Sequence, residues 1–213
     1  MGLVTQIAAA AIVVFARFIT AVRGFWQGTE PVPRQRVYFA NHASHGDFIL
    51  IWTVLPPRLR RMTRPVAGAD YWLKNSVRRF IGCDVFNAVL IDRNRETRKR
   101  DPIEIMAEAL DAGFSLIVFP EGTRNETDTP LLPFKSGLFH LAGARPTVEL
   151  VPVWIDNLNR VMPKGEFIPV PLICSVTFGE PLQIGDRECK EDFLARAREA
   201  LLALSPKARE AGS

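Results

Sequence analysis

Two short polar stretches hold the residue types from which a reaction could be built. The first is NHASHGD, Asn41 to Asp47, which contains two of the chain's three histidines, a serine and a carboxylate. If the chain turns from strand into helix within it, Asp47 can reach back to the imidazole of His42. A carboxylate on one ring nitrogen fixes the tautomer and makes the other nitrogen a base. This is the logic of a catalytic triad without its serine. GxSxG is absent from the sequence, so the proton would come from the substrate's own hydroxyl. Other readings use the same residues. Ser44 and Asp47 have the S-x-x-D spacing of a helix capping box, which leaves Asn41, His42 and His45 unexplained. His42, His45 and Asp47 could instead ligate a metal. A hydrolytic zinc site takes three protein ligands and an open position; the only further histidine is His140, and no HExxH is present.

The second stretch is FPEGTRN, Phe119 to Asn125. Glu121, Gly122, Thr123 and Arg124 suit an oxyanion such as phosphate. Gly122 lets the backbone approach, Thr123 donates, and Arg124 offers a bidentate fork. A surface turn accounts for this composition equally well when it is taken alone. Two polar loops at the ends of two buried strands point to a shared cleft.

The elements that must position these loops are legible from punctuation and periodicity. VYFA (Val37 to Ala40), PVAG, NAVLID (Asn87 to Asp92), SLIVF (Ser115 to Phe119), VELVPVWI (Val148 to Ile155) and ICSVTFG (Ile173 to Gly179) read as strands. FILIWTVL, from Phe48, is ambiguous by period, but Ser44 offers a cap for a helix. DPIEIMAEALDAG is the clearest helix: Asp101 caps it, Pro102 opens it, Glu104 completes a capping box and Gly113 ends it. DYWLKNSVRRF reads as a helix from an Asp70 cap to Gly82, and Lys135 to Ala144 and Glu191 to Leu204 as two more. PPRLRRMTRP reads as a basic loop and EPVPRQR as a linker. Strands alternating with helices predict an α/β fold with a mixed, largely parallel sheet flanked by helices. His42 and Glu121 then fall at strand C-terminal ends, where open α/β sheets bind their ligands.

The totals fit this class. The chain has 213 residues, 47% hydrophobic and 23% charged, enough for one domain with a sizeable core. Its net charge of +4 suits nucleic acid, an anionic membrane surface or a phosphorylated small molecule equally. Cys83, Cys174 and Cys189 lie far apart and odd in number, which argues for free thiols and against a disulfide framework. The mean hydropathy of +0.05 is raised by the N-terminus. There GLVTQIAAAAIVVFARFITAV, Gly2 to Val22, is almost wholly apolar and as a helix would reach about 30 Å, one bilayer core. A central arginine costs about 2.5 to 3.5 kcal/mol on insertion scales, but Arg17 lies near one end and can snorkel. No basic n-region or A-x-A site suggests a cleaved signal, and Gln6 stands where a myristoylation motif wants Ser or Thr. Arg23, Phe25 and Trp26 follow at an interfacial position. The reading is a membrane-anchoring helix over residues 1–28 and an α/β domain over 29–213.

NHASHGD resembles the NHxSxxD motif of the glycerolipid acyltransferases, the PlsC-like family of 1-acylglycerol-3-phosphate acyltransferases. FPEGTRN is similar to that family's FPEGTRS, at the family's usual spacing. VLIDR (Val89 to Arg93), FKSGLFHLA (Phe134 to Ala142) and VPV (Val151 to Val153) resemble its further blocks. The resemblance covers roughly Val37 to Leu182. It departs at Asn125, where serine is common, and at GADYWL, where many members carry K-x-E-L, so a lysine is missing near Gly68.

What the resemblance implies is a membrane-bound acyltransferase that moves a fatty acyl group from acyl-CoA or acyl carrier protein to a lysophospholipid hydroxyl. His42 would be the base and Asp47 its orienter. Glu121, Gly122, Thr123 and Arg124 would hold the acceptor, with Arg124 and Arg93 on its phosphate. It implies no metal or prosthetic group, membrane lipids as partners, no nucleic acid, and a place on the cytoplasmic face of the inner (plasma) membrane. Arg58, Arg60, Arg61 and Arg64 are candidates for anionic headgroups or the donor's phosphates. The alternatives are another lysolipid acceptor, a metal-dependent hydrolase using His42, His45 and Asp47, and a non-catalytic phosphatidic-acid-binding module. The last gives no reason for His42 and Asp47 at this spacing.

Overall fold

A computed structural model describes residues 2–44, 46–94, 96, 98–156, 174–206 and 208. Seven strands form one sheet: β1 (Arg23–Trp26), β2 (Arg36–Ala40), β3 (Thr63–Gly68), β4 (Val89–Ile91), β5 (Ser115–Val118), β6 (Glu149–Asp156) and β7 (Ser175–Phe178), in the order β1-β7-β6-β2-β5-β3-β4. Every pairing is parallel except β6 with β7. A parallel sheet is buried on both faces, and β2 and β5 are buried along their whole length. On one face α2 (Asp47–Val54) packs Phe48, Ile51 and Leu55 against Tyr38, Ile117 and Val153. On the other, α6 (Pro102–Asp111), α7 (Gly137–Ala144) and α8 (Lys190–Ala203) pack Leu110, Leu138 and Phe193 against Phe39, Leu116 and Leu150. The mixed, largely parallel α/β sheet is the one the sequence predicts.

Helix α6 starts and stops where its signals predict, though among the described residues Glu104 does not close a capping box with Asp101. The Asp101 side chain accepts from the Ile103 amide at 2.9 Å, Pro102 opens α6, and Gly113 leaves it at φ +84°. Ser175–Phe178 is a strand as expected, while Ile173 lies outside the described residues.

Three expectations are corrected. PPRLRRMTRP is not a loop; it holds α3 (Pro57–Met62), followed directly by β3. Arg60, on α3, explains the tight return. Its guanidinium donates to the carbonyls of Trp52, Thr53 and Leu55, closing the exposed end of α2. DYWLKNSVRRF is not one helix. It breaks into α4 (Ala69–Trp72), α5 (Ser76–Arg79) and a π-helical turn, Phe80–Val85. Asn75 caps α5 by accepting from the Arg78 amide, while Gly68, not Asp70, is the N-cap of α4 and the Asp70 carboxylate is bound to Arg93. Gly82 lies inside the π turn and does not end a helix. A Cβ there would stand 2.7 Å from the Trp72 ring, so the glycine serves close packing.

The third correction concerns the N-terminus. Helix α1 (Leu3–Thr20) is present and is long and apolar enough to cross a membrane by length and composition. The segment behind it is part of the sheet, with Arg23 and Phe25 exposed. Arg23–Trp26 is strand β1, paired with β7, and the Trp26 ring stacks on Phe178 at 3.9 Å. The sheet therefore begins before residue 29, and only α1 stands apart from it. Helix α1 lies over α2 and the π turn. It buries Thr5, Val13, Ala16 and Thr20 but exposes Leu3, Val4, Ile7, Val14, Phe15 and Phe18.

Candidate active site

Because β2 and β5 are parallel neighbours in register, with Phe39 opposite Val118, the chain leaves both at one end of the sheet. The two polar stretches are those exits. Asn41 makes the first turn. Its buried amide accepts from the Ile155 N–H at 2.8 Å and donates to the Ile155 carbonyl at 3.0 Å. It thus replaces a strand partner for β6 while the main chain turns away.

His42 follows. Its Nδ1 lies 2.9 Å from Asp47 Oδ2. That same oxygen accepts from the amides of Ala43 at 2.7 Å and Ser44 at 2.9 Å. Half of the predicted capping box is therefore present: Asp47 reaches back to the Ser44 amide, but the Ser44 hydroxyl accepts from Gly46 and not from Asp47. The Asp47 side chain is 2% exposed and that of His42 is 20% exposed. A buried charge is tolerable only when it is well hydrogen-bonded, and three donors on one oxygen meet that need. With the carboxylate ionised, Nδ1 carries the proton and Nε2 is the basic nitrogen. The ring lies flat on Phe119, centroids 4.2 Å apart, so its rotation is limited. His45, the remaining candidate metal ligand, lies outside the described residues. Among the described residues no group of three or more His, Cys, Asp or Glu is placed to hold a metal ion.

The second loop is stitched to the first through main chain. Glu121 accepts from the His42 amide at 2.7 Å through one oxygen and from the Leu132 amide at 2.8 Å through the other. It is 1% exposed. Burial pushes its carboxyl above the usual carboxylate range, opposed by the two amides, which favour its charge. Glu121 is therefore a strut that holds the loops together, with both oxygens already occupied. The Asn125 amide completes the stitch by donating to the His42 carbonyl at 2.6 Å. Its side chain braces the rest of the loop, donating to the Thr129 carbonyl and accepting from Thr127.

Gly122 has φ +71°, a conformation that favours glycine, and a Cβ there would stand 3.1 Å from Lys135 Cγ. Thr123 is exposed and Arg124 half-exposed, with its guanidinium 3.7 Å from Glu126. These residues and the Lys135 side chain over Gly122 make the exposed part of this loop, where Arg124 and Lys135 are the cations and Glu126 stands beside Arg124. The roles of Lys135, Phe119 and Asn41 are not legible in the sequence alone. Phe119 opens FPEGTRN and Lys135 lies well beyond its end; the return of the chain onto Pro120, through the Lys135 amide at 2.8 Å, brings Lys135 back to the loop.

Arg93 is not gathered into this cluster. It follows β4, three strand positions from β2, which is roughly 14 Å at ordinary strand spacing. Its guanidinium grips Asp70 in a two-pronged pair, at 3.2 and 2.7 Å. A Cβ on Gly68 would fall 2.5 Å from both Arg93 Nε and Asp70 Oδ1. A side chain at Gly68 would have to displace the ends of Arg93 and Asp70 from this arrangement. Of the four basic candidates near α3, Arg60 is occupied by the end of α2 and Arg64 by the Phe114 ring, 3.4 Å below it. Arg58 and Arg61 are exposed.

A sequence model described as Acyltransferase matches residues 25–156. The 1-acyl-sn-glycerol-3-phosphate acyltransferase of Limnanthes douglasii is 31% identical over 170 residues, 75% of this chain and 54% of that protein. The enzyme of the same description from Escherichia coli (strain K12) is 31% identical over 138 residues, 59% of this chain and 51% of that protein. The chain spans about half the length of the curated relatives it matches. Among solved structures, that of the 1-acyl-sn-glycerophosphate (LPA) acyltransferase PlsC from Thermotoga maritima superposes with a TM-score of 0.69 at 22% identity. It covers 93% of this chain and 79% of its own, and shows that the fold is shared. On the match to residues 25–156, which include both polar loops and the strands that carry them, this chain belongs to the acyltransferase family, with PlsC-like glycerolipid acyltransferases as its relatives.

Proposed function

We propose that this protein transfers a fatty acyl group from a thioester, acyl-CoA or acyl carrier protein, to the free hydroxyl of a lysophospholipid. The favoured acceptor is 1-acylglycerol-3-phosphate, with phosphatidic acid as product. The observation that carries the reading is the His42 Nδ1–Asp47 Oδ2 contact of 2.9 Å, on a loop stitched through the His42 main chain to the loop that bears Arg124. In the reaction, His42 Nε2 takes the acceptor's hydroxyl proton as its oxygen attacks the thioester carbonyl. The carbon–sulfur bond then breaks, and the leaving thiolate takes that proton back from the imidazolium. Asp47 faces the imidazolium and stabilises it. Gly122, Thr123 and Arg124 hold the acceptor's phosphate, and Lys135 adds a second cation. Glu121 serves this set by placing the loop. Arg93 contributes only if phosphate displaces Asp70, an exchange that an exposed ion pair permits at little cost. Neither metal nor prosthetic group enters these steps. The direct test is thioester-dependent formation of phosphatidic acid, assayed with acyl-CoA and with acyl carrier protein donors across a panel of lysolipids.

Arg124→Lys is expected to raise the KM for the acceptor by about tenfold and leave that for the donor unchanged, because a point charge cannot reproduce the guanidinium fork. Steady-state kinetics with each substrate varied in turn would show it. A rise for the donor alone would assign the loop to the wrong substrate. Turnover is also expected to survive EDTA. Loss on chelation with recovery on zinc would favour the hydrolase.

Helix α1 keeps the site at the membrane surface, on the cytoplasmic face. Its exposed Phe15 and Phe18 enter the acyl region. Phe15→Asp/Phe18→Asp is expected to release the protein from vesicles without lowering its melting temperature, since neither side chain packs inside. Sedimentation and a thermal melt on one sample separate the two effects.

A further inference from the structure

Helix α1 is not the only exposed apolar element on its side of the sheet. Trp72 and Ile81 both pack into the cluster beneath α1, beside Ala9 and Ile12. The chain between them therefore leaves that cluster and returns to it. On the way it exposes Leu73 at 51% and Val77 at 65%. Lys74 and Arg79 are exposed beside them, and Arg78 lies over the Tyr71 ring at 4.3 Å. No acidic residue occurs from Tyr71 to Cys83; Asp70 before it is bound by Arg93, and Asp84 follows it. Asn75 fixes the turn by capping α5, so these side chains project from a set backbone. The segment starts where α4 leaves the C-terminal end of β3, the sheet end that bears His42 and Glu121.

Two apolar side chains among three cations are a poor solvated surface and a good interfacial one. The apolar tips enter the acyl boundary while the cations meet headgroup phosphates. We infer that Leu73–Arg79 is a second membrane contact, specific for anionic lipid, that tethers the rim of the active site while α1 supplies apolar anchoring. This inference rests on the membrane reading above. It assigns a separate task to the segment: α1 carries a single charge, Arg17, and supplies anchoring, while Leu73–Arg79 gathers three cations and reads headgroup charge. An acidic carrier protein would be attracted by the same cations, but would give no reason for Leu73 and Val77 to share the surface with α1.

The test measures binding of the full chain, without donor or acceptor, to vesicles of phosphatidylcholine alone or of equal parts phosphatidylcholine and phosphatidylglycerol, and beside it acyl-transfer kinetics with acyl carrier protein as donor. The wild type is expected to bind the anionic vesicles more tightly, and added salt to reduce the difference. Lys74→Glu/Arg79→Glu is expected to lower anionic binding by about tenfold or more and to leave binding to neutral vesicles unchanged. Leu73→Ser/Val77→Ser is expected to weaken binding to both. All four side chains are exposed, and a thermal melt unchanged from wild type confirms that each variant is folded. Equal binding of the wild type to both vesicles, or full anionic binding by the charge-reversed variant, overturns the inference and leaves the α1 reading standing. A wild type that binds neither overturns both. A charge-reversed variant that binds vesicles normally but has a raised KM for acyl carrier protein assigns the patch to that acidic partner.

Discussion

An Asp47→Asn chain is expected to lose acyl transfer by at least about a hundredfold while remaining folded. Asp47 Oδ2 accepts from His42 Nδ1 and from the Ala43 and Ser44 amides together. In the variant those two amides hold the asparagine oxygen in the same place, so the histidine tautomer is kept. What is lost is the negative charge facing the imidazolium. The fold pays a smaller cost. Asp47 Oδ1 is buried with no partner among the described residues, and the variant puts an NH2 group there. A buried, unpaired donor costs about 1–3 kcal/mol, and each kcal/mol lowers Tm by about 2–4 °C in a domain of this size. Rates measured well below both melting transitions separate the two effects. If the deficit disappears there, Asp47 is only a helix-start residue and the base has no orienter.

The site was more legible than its surroundings because its chemistry is local. His42 and Asp47 stand five residues apart, and a strand exit followed by a helix start brings them together. Their pairing therefore needs no knowledge of the rest of the chain. Glu121 and Arg93 differ in just this respect. In sequence Glu121 is one more polar residue in a ligand loop; its burial and its two amide partners, His42 and Leu132, arise only when β2 and β5 lie side by side. Arg93 looks like a free cation until β4 is set beside β3, where Asp70 meets it across Gly68. The same distinction runs through the fold. Helix α6 carries its own start and stop signals and was readable with its cap. Strand β1 carries none: RGFW follows an apolar helix and reads as an interfacial belt, and only β7, far along the chain, makes it a strand. Trp72 at the end of α4 lies over Gly82 in the π turn, again a contact that no periodicity encodes.

The central claim is that His42 is the base, and His42→Ala tests it with little ambiguity. The loops are joined to this residue through its main chain, by its amide to Glu121 and its carbonyl to Asn125. Alanine keeps both bonds and removes only the ring, its contact with Asp47 and its stacking on Phe119. The decisive measurement is the rate of phosphatidic acid formation from a fatty acyl thioester and 1-acylglycerol-3-phosphate, wild type against His42→Ala. It should be taken on vesicles that bind both equally and below both melting transitions. The expected result is a loss of at least about a hundredfold, as for removal of a general base. Turnover close to wild type in a folded, vesicle-bound variant would contradict the account.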